Sequence, residues 1–368
     1  MGWIAGHGSI SGVVAPLLAS LLFAVASPLR ADQIAGPYDV EARRELAGRM
    51  MKPLVCPAPP PPVFAAAGQI FYRPGTGNAD VDESARAAND KLAAPANEFM
   101  VFVVRTADDY MRSRPADPMR AQCVLSWLDA WASADALLSP PDRQGRYLRN
   151  WTLADLAIAY LIIRDAPGLE VASQRRVQRW FARLSSAVNE DFRNGTERNN
   201  HLYWAALSAV AGAAISGDTA LFQWGIDAAL TGLREVQSDG SLPLELARRS
   251  KALGYHVFAA QALVLIAAFA DRNHIDLWHA QNSALLRLTD LLVRALQDPE
   301  LIARKTGYPQ DTDDLHGWPS RQALSWAEPY YAVFRDSRLV PYLRAWRPHI
   351  GSARNGGDMT LAFGAELP

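Results

Sequence analysis

The chain has 368 residues, 49% hydrophobic and 20% charged, ample for a large core in one long domain or two smaller ones. A formal net charge of −1 argues against a bulk nucleic-acid or membrane-surface binder, so a polyanionic partner must be met by local basic residues. Eleven Trp and eleven Tyr supply many flat rings, which stack on apolar sugar faces but also fill ordinary cores.

In chain order, Val13 to Ala26 is an apolar run too short to span a bilayer comfortably. Small residues at Ala24-Val25-Ala26 and Leu29-Arg30-Ala31 offer cleavage sites, so residues 1–31 read as an export signal and 32–368 as the mature domain. The early region lacks Lys and Arg, which keeps an uncleaved anchor as the alternative; no other stretch is expected to cross a membrane. One helix is expected over Val40 to Met51. Pro57 to Pro62 must be extended and is expected to lie across the surface as a strap. Phe71 to Asp80 holds Gly, Pro and Asn and reads as a loop; tipped with Tyr72 and Arg73, it is either a lid or a plain connector, so strap and lid occupy about 57–80. A helix follows over Asp82 to Met111, with a break expected at Pro95.

From about Met119 the chain is a succession of helices. Trp127, Trp131, Ala134 and Leu138 share one face, and Leu153, Leu156, Tyr160 and Ile163 share another. Further helical runs cover about 170–190, 199–216, 218–237, 245–271, 275–297 and 321–347, with short Gly-, Pro-, Asp- or Asn-bearing links. No useful period-two stretch interrupts them. Short links imply antiparallel neighbours, hence an all-α protein of helical hairpins in series. Periodicity alone allows either a closed toroid with a central cleft or an open array. The two cysteines, Cys56 and Cys123, are the pattern of one disulfide in an exported chain, against two separate buried thiols. No CxxC or Cys/His cluster is present, and Asp311-x-Asp313-Asp314 lacks the glycine and glutamate of a calcium loop, so no metal or other cofactor is expected.

Two stretches carry the chemistry. In Arg198-Asn199-Asn200-His201-Leu202-Tyr203-Trp204, Asn199 suits an N-cap, placing Asn200 and His201 in a first turn where the helix dipole favours anions. In Arg248 to His256, Arg248 and Tyr255 are seven apart and share a helix face. Each stretch alone is equally well a capped, buried helix start or an exposed Arg beside a core Tyr. Together they suit β-elimination from a uronic acid polymer. The proton on C5 is weakly acidic while the neighbouring carboxylate is charged; a guanidinium and an amide on that carboxylate stabilise the developing enolate. A tyrosine can remove the proton and return one to the leaving oxygen, provided its ordinary pKa of about 10 is lowered; Arg248 is expected to do so.

At these stretches the chain resembles the alginate lyases of polysaccharide lyase family 5. The resemblance rests on Asn199 to Trp204 and on Leu242-Pro243 through Arg248 to Tyr255-His256. It extends to Trp127 to Trp131, Arg149-Asn150-Trp151, Lys305-Thr306-Gly307 with Gln310-Asp311, and Trp326 to Tyr330, covering roughly residues 50 to 335. It implies an incomplete (α/α) toroid and a periplasmic enzyme depolymerising mannuronate-rich alginate. It also implies that Asn200 and Arg248 neutralise the C5 carboxylate, that His201 assists, and that Tyr255 is both base and acid. Arg143, Gln144, Arg149 and Trp151 would line the sugar cleft, Cys56 and Cys123 would pair, and Arg73 would replace a lid lysine that this chain lacks. The partner implied is an anionic polysaccharide, with an alginate export complex as a further one. The rival readings are a glycoside hydrolase on the same toroid, invoking Glu245, Asp311 or Asp313, and a non-catalytic polysaccharide-binding or export module.

Overall fold

A computed structural model describes residues 33–368, which form one compact unit; the expected signal over 1–31 lies outside the described residues. The fold is all-α, an incomplete (α/α) toroid. Its helices are α1 (Val40–Ala47), α2 (Glu83–Arg112), α3 (Pro118–Ser133), α4 (Gly145–Ile163), α5 (Val171–Phe192), α6 (Asn200–Ser216) and α7 (Thr219–Glu235). They continue with α8 (Pro243–Leu246), α9 (Ala252–Arg272), α10 (Ala280–Gln297), α11 (Leu301–Thr306), α12 (Ala327–Phe334) and α13 (Val340–Trp346). A two-residue antiparallel pair, β1 (Gly351–Ser352) with β2 (Gly357–Asp358), precedes α14 (Met359–Phe363).

The architecture follows from which helices are apolar on all sides. From Leu202 to Ile215 α6 is buried throughout, and α4, α5, α7 and α9 pack around it. A helix with no polar face has no side to offer water, so it becomes the pillar of the core. Close approach needs small residues: a Cβ at Gly232 of α7 would come within 2.3 Å of the Tyr203 ring. The stretch Arg249–Arg272 is also long and apolar enough to cross a membrane, contrary to the sequence expectation, but 83% of its most apolar window is buried in the protein. It is a core helix by placement.

Several helical expectations need correction. Pro95 does not break α2, which runs on through it. Pro95 and Lys91, whose carbonyl loses its partner, are both exposed, so water can satisfy that group. The run 245–271 divides because Arg249 turns into the left-handed region at φ 54°, separating α8 from α9 by a 3₁₀ turn. The run 321–347 divides at Arg335, also left-handed at φ 53°, and α13 restarts with Pro341 in its first turn. The expected helix over Val40 to Met51 ends early, at Gly48, and α10 has left-handed residues from Gln281 to Ser283 near its start.

The proline strap lies along α3. The indole N–H groups of Trp127 and Trp131 donate to the carbonyls of Pro57 (2.9 Å) and Pro60 (3.3 Å). Cys56 and Cys123 are disulfide-bonded, with Cα atoms 5.6 Å apart, pinning the strap's start to α3. Gly145 lets its far end cross α4, since a Cβ there would meet the Ala66 carbonyl at 2.0 Å. Beneath the strap, Phe99 stacks on Trp131 with centroids 3.6 Å apart. The strap delivers residues 71–80 to the mouth of a central cleft.

Candidate active site

The cleft has a volume of about 640 Å³ and is walled on one side by the start of α6 and of α9, on the other by the loop 71–80 and α2. Asn199 caps α6 as expected, its side chain accepting from the His201 amide at 3.1 Å. Asn200 and His201 therefore emerge at the helix mouth, and both line the cleft.

A buried carboxylate holds the group together. Glu245 in α8 is fully buried and accepts from both the backbone N–H (2.8 Å) and the side-chain amide (2.9 Å) of Asn200. Its other oxygen lies 3.5 Å from Arg248 Nε, three residues on. Arg248 in turn stacks on the face of Tyr255, 4.7 Å from guanidinium carbon to ring centroid. Asn200, Glu245, Arg248 and Tyr255 thus form a continuous chain of contacts drawn from three elements. The left-handed turn at Arg249 makes this possible, and Gln310 braces it, donating to the Arg249 carbonyl (3.1 Å) and accepting from the Leu253 amide (2.9 Å).

The electrostatics divide the roles. Burial, with Arg248 and Arg146 nearby, pushes His201 down to about 3, so at neutral pH it is an uncharged hydrogen-bond partner. Its ring stacks on Tyr147 at 3.7 Å, Tyr147 donates to Glu197 at 2.8 Å, and His201 Nδ1 has no partner among the described residues. Asn200 keeps its second amide hydrogen for a ligand. The cation of the group is Arg248. His256 is different: its Nε2 accepts from the Leu242 amide at 3.0 Å and its Nδ1 donates to the Ala252 carbonyl at 2.7 Å, so it is a satisfied structural histidine.

Tyr255 departs from expectation. Its phenol is raised well above 10, first by burial and then by the neighbouring Tyr72, which outweigh the lowering by Arg248. The two hydroxyls are hydrogen-bonded at 2.9 Å. A lid loop is closed over the site, and this explains the burial. Gly77, at φ 68°, sits where a Cβ would meet the Ala247 carbonyl at 2.6 Å, so the loop tip rests on the residue before Arg248. A bridge between Tyr72 and Val81 shapes the loop.

Other expected residues divide. Arg143, Gln144 and Trp151 line the cleft. Arg149 does not: it is buried behind the wall in an ion pair with Asp191, because its position on α4 faces α5 rather than the opening. Arg73 does not either. It is exposed on the outside of the lid, while Tyr72 and Asn78 face inward. Adjacent residues of an extended segment point to opposite sides. Tyr72 of the lid, expected from sequence only as a loop tip, lines the cleft, as do Tyr147, Lys251 and Arg354, which were not singled out from sequence. Lys251, in the Arg248–His256 stretch, pairs with Asp311 at 2.8 Å, so that acidic turn is cleft wall. Among the described residues no group of three or more His, Cys, Asp or Glu could hold a metal.

A family profile described as "Alginate lyase" matches residues 74–302. A polysaccharide lyase of Stenotrophomonas maltophilia is 35% identical over 313 residues, 83% of this chain and 90% of that protein. The chain belongs to the alginate lyase family. An alginate lyase of Pseudomonas aeruginosa is 32% identical over 327 residues, 84% of this chain and 86% of its own. Among solved structures, alginate lyase A1-III of Sphingomonas species A1 superimposes with a TM-score of 0.75 at 26% identity, covering 92% of this chain and 99% of that one. A variant of A1-III complexed with a tetrasaccharide gives a TM-score of 0.78 at 26% identity, covering 93% of this chain and 99% of that one. The lyase described above is therefore a polysaccharide lyase whose relatives are alginate lyases over most of their length.

Proposed function

We propose that this alginate lyase cleaves mannuronate-rich alginate by β-elimination, as an enzyme of the EC 4.2.2.3 type. The observation that carries the proposal is the contact chain from Asn200 through Glu245 and Arg248 to Tyr255, whose two ends, Asn200 and Tyr255, line one cleft while Glu245 and Arg248 are buried behind them. Arg248 and the free amide hydrogen of Asn200 hold the C5 carboxylate, and neutral His201 adds a hydrogen bond. Their interactions strengthen as charge moves onto that carboxylate in the enolate. The Tyr255 phenolate takes the C5 proton, the C5–H electrons form the C4–C5 double bond, and the C4–O4 bond breaks. The phenol returns the proton to O4. In β-D-mannuronate the C5 hydrogen and O4 share a ring face, so one phenol serves both ends. That geometry supports mannuronate over guluronate.

The closed lid adds a condition. With Tyr72 bonded to it and burial disfavouring its charged form, Tyr255 rests as a phenol. Substrate entry must part the two hydroxyls, which frees Tyr255 to respond to Arg248. Glu245 is committed to Asn200 and Arg248, and Asp311 to Lys251, so neither is a free partner for a hydrolase pair. We further propose a periplasmic protein with a cleaved signal over 1–31 and a single catalytic domain from 32 to 368; the disulfide supports an oxidising compartment. An alginate export complex is a proposed partner.

Digestion of polymannuronate and polyguluronate tests the reading. The expected result is ultraviolet-absorbing unsaturated ends from polymannuronate and far slower release from polyguluronate. Saturated reducing ends would mean a hydrolase, and no cleavage of either would mean a binding module.

A further inference from the structure

We propose that Arg354 is a second carboxylate receptor of the cleft, binding a uronate unit next to the one gripped by Arg248; this rests on the alginate reading above. Arg354 lies in the 3₁₀ turn Ala353–Asn355 between β1 and β2, beyond residue 302 where the family profile ends. It lines the cleft with its guanidinium carbon 4.7 Å from the centroid of the Trp151 ring. Among the described residues it makes no hydrogen bond and no ion pair. The other buried cations near the cleft are matched: Lys251 by Asp311, Arg149 by Asp191, Arg248 by Glu245. The acid nearest in influence to Arg354 is Asp155, which is fully buried and makes no ion pair with it. Burial raises the Asp155 carboxyl well above its usual range, against the lowering by Arg354 and the Gly356 backbone, and Asp90 of the cleft wall is the second acid that Arg354 feels.

A half-buried guanidinium that lines the cleft and stacks on an indole suits two carboxylate oxygens. The turn that carries it is pinned. The Asp358 amide donates to Asp108 at 3.1 Å, Asp358 pairs with Arg112 at 2.5 Å and His349 at 2.8 Å, and a Cβ at Gly356 would meet Ile158 at 2.3 Å. Arg354 reaches the cleft through Trp151, whose ring centroid is 6.2 Å from that of His201. Its anion therefore belongs to a neighbouring sugar unit, and the residue acts on binding and chain-length preference.

The test compares Arg354→Gln and Arg354→Lys with the wild-type chain on mannuronate oligomers of increasing length, and measures binding of the same oligomers by calorimetry. For Arg354→Gln, KM on the longer oligomers should rise about tenfold, as for one lost charge-assisted pair. The shortest cleaved oligomer should show less than twofold change, kcat should move less than threefold, and Arg354→Lys should recover part of the loss. Calorimetric Kd should weaken in parallel, which reads the proposal even if the polymer proves uncut; absence of unsaturated ends from the wild type would sink the lyase reading instead. Equal loss at all lengths with a lowered Tm, restored by adding Asp155→Asn, would show that Arg354 only balances Asp155 and would overturn the proposal. So would KM and Kd unchanged at every length.

Discussion

The two walls of the cleft are built on opposite plans. On the wall formed by α6, α8 and α9, polar groups hold one another: Glu245 takes two hydrogen bonds from Asn200, Arg248 lies against Glu245 and Tyr255, and Gln310 ties down the turn between them. On the lid wall, Arg73, Pro74, Gly75, Gly77 and Asn78 are exposed, and the loop touches the opposite wall through Tyr72 and Gly77. A wall whose side chains are over-determined can aim dipoles at a developing charge without reorganising. A loop with few buried contacts can open and close. The difference assigns chemistry to the first wall and access to the second.

Substitutions can break or sharpen that division. Arg248→Ala removes the only cation in the Asn200–Glu245–Tyr255 contact chain and should lower kcat by about 10³-fold, the scale of losing one preorganised stabiliser of a developing anion; a change under tenfold would mean the carboxylate is held elsewhere. Glu245→Gln keeps the shape and the acceptor oxygen but loses the charge opposite Arg248. Its kcat should fall about tenfold, as for one weakened charged hydrogen bond, with Tm little changed, and a loss confined to KM would deny it a positioning role. Tyr72→Phe removes one neutral hydrogen bond, worth about 1 kcal/mol, and should change kcat about fivefold or less. Because the Tyr72 hydroxyl helps hold Tyr255 above its ordinary value, removing it should shift the rise of activity with pH to lower pH. An unmoved profile would separate the lid from the proton-transfer group. Arg73→Ala should change kcat/KM less than about twofold, since an exposed side chain outside the cleft contributes little; a larger drop would return Arg73 to the site.

The contrast also explains what the sequence disclosed. The catalytic wall is encoded locally: an N-cap at Asn199 sets Asn200 and His201, and the seven-residue spacing sets Arg248 against Tyr255. The all-α class was likewise legible in apolar periodicity and short links. Glu245 was legible only as a stray carboxylate, because its partner Asn200 is 45 residues away. The lid misled in one step: Tyr72 and Arg73 were both visible, but which one faces inward depends on the register of the Tyr72–Val81 bridge. Arg149 misled in the same way, by facing α5. Arg354 had no signal at all, since its meaning comes from a hairpin that folds back against α2 and α4. The sign of the Tyr255 shift was missed because burial by the closed lid, a tertiary effect, outweighs the adjacent cation.

Tyr255→Phe tests the central claim most directly. The variant keeps the ring beneath Arg248 and removes only the proton carrier, so polymannuronate should bind with Kd within about threefold of wild type while formation of unsaturated ends falls by about 10⁴-fold, the upper range for a lost acid–base group. Unsaturated ends appearing at a tenth of the wild-type rate or faster would show that another group moves the proton.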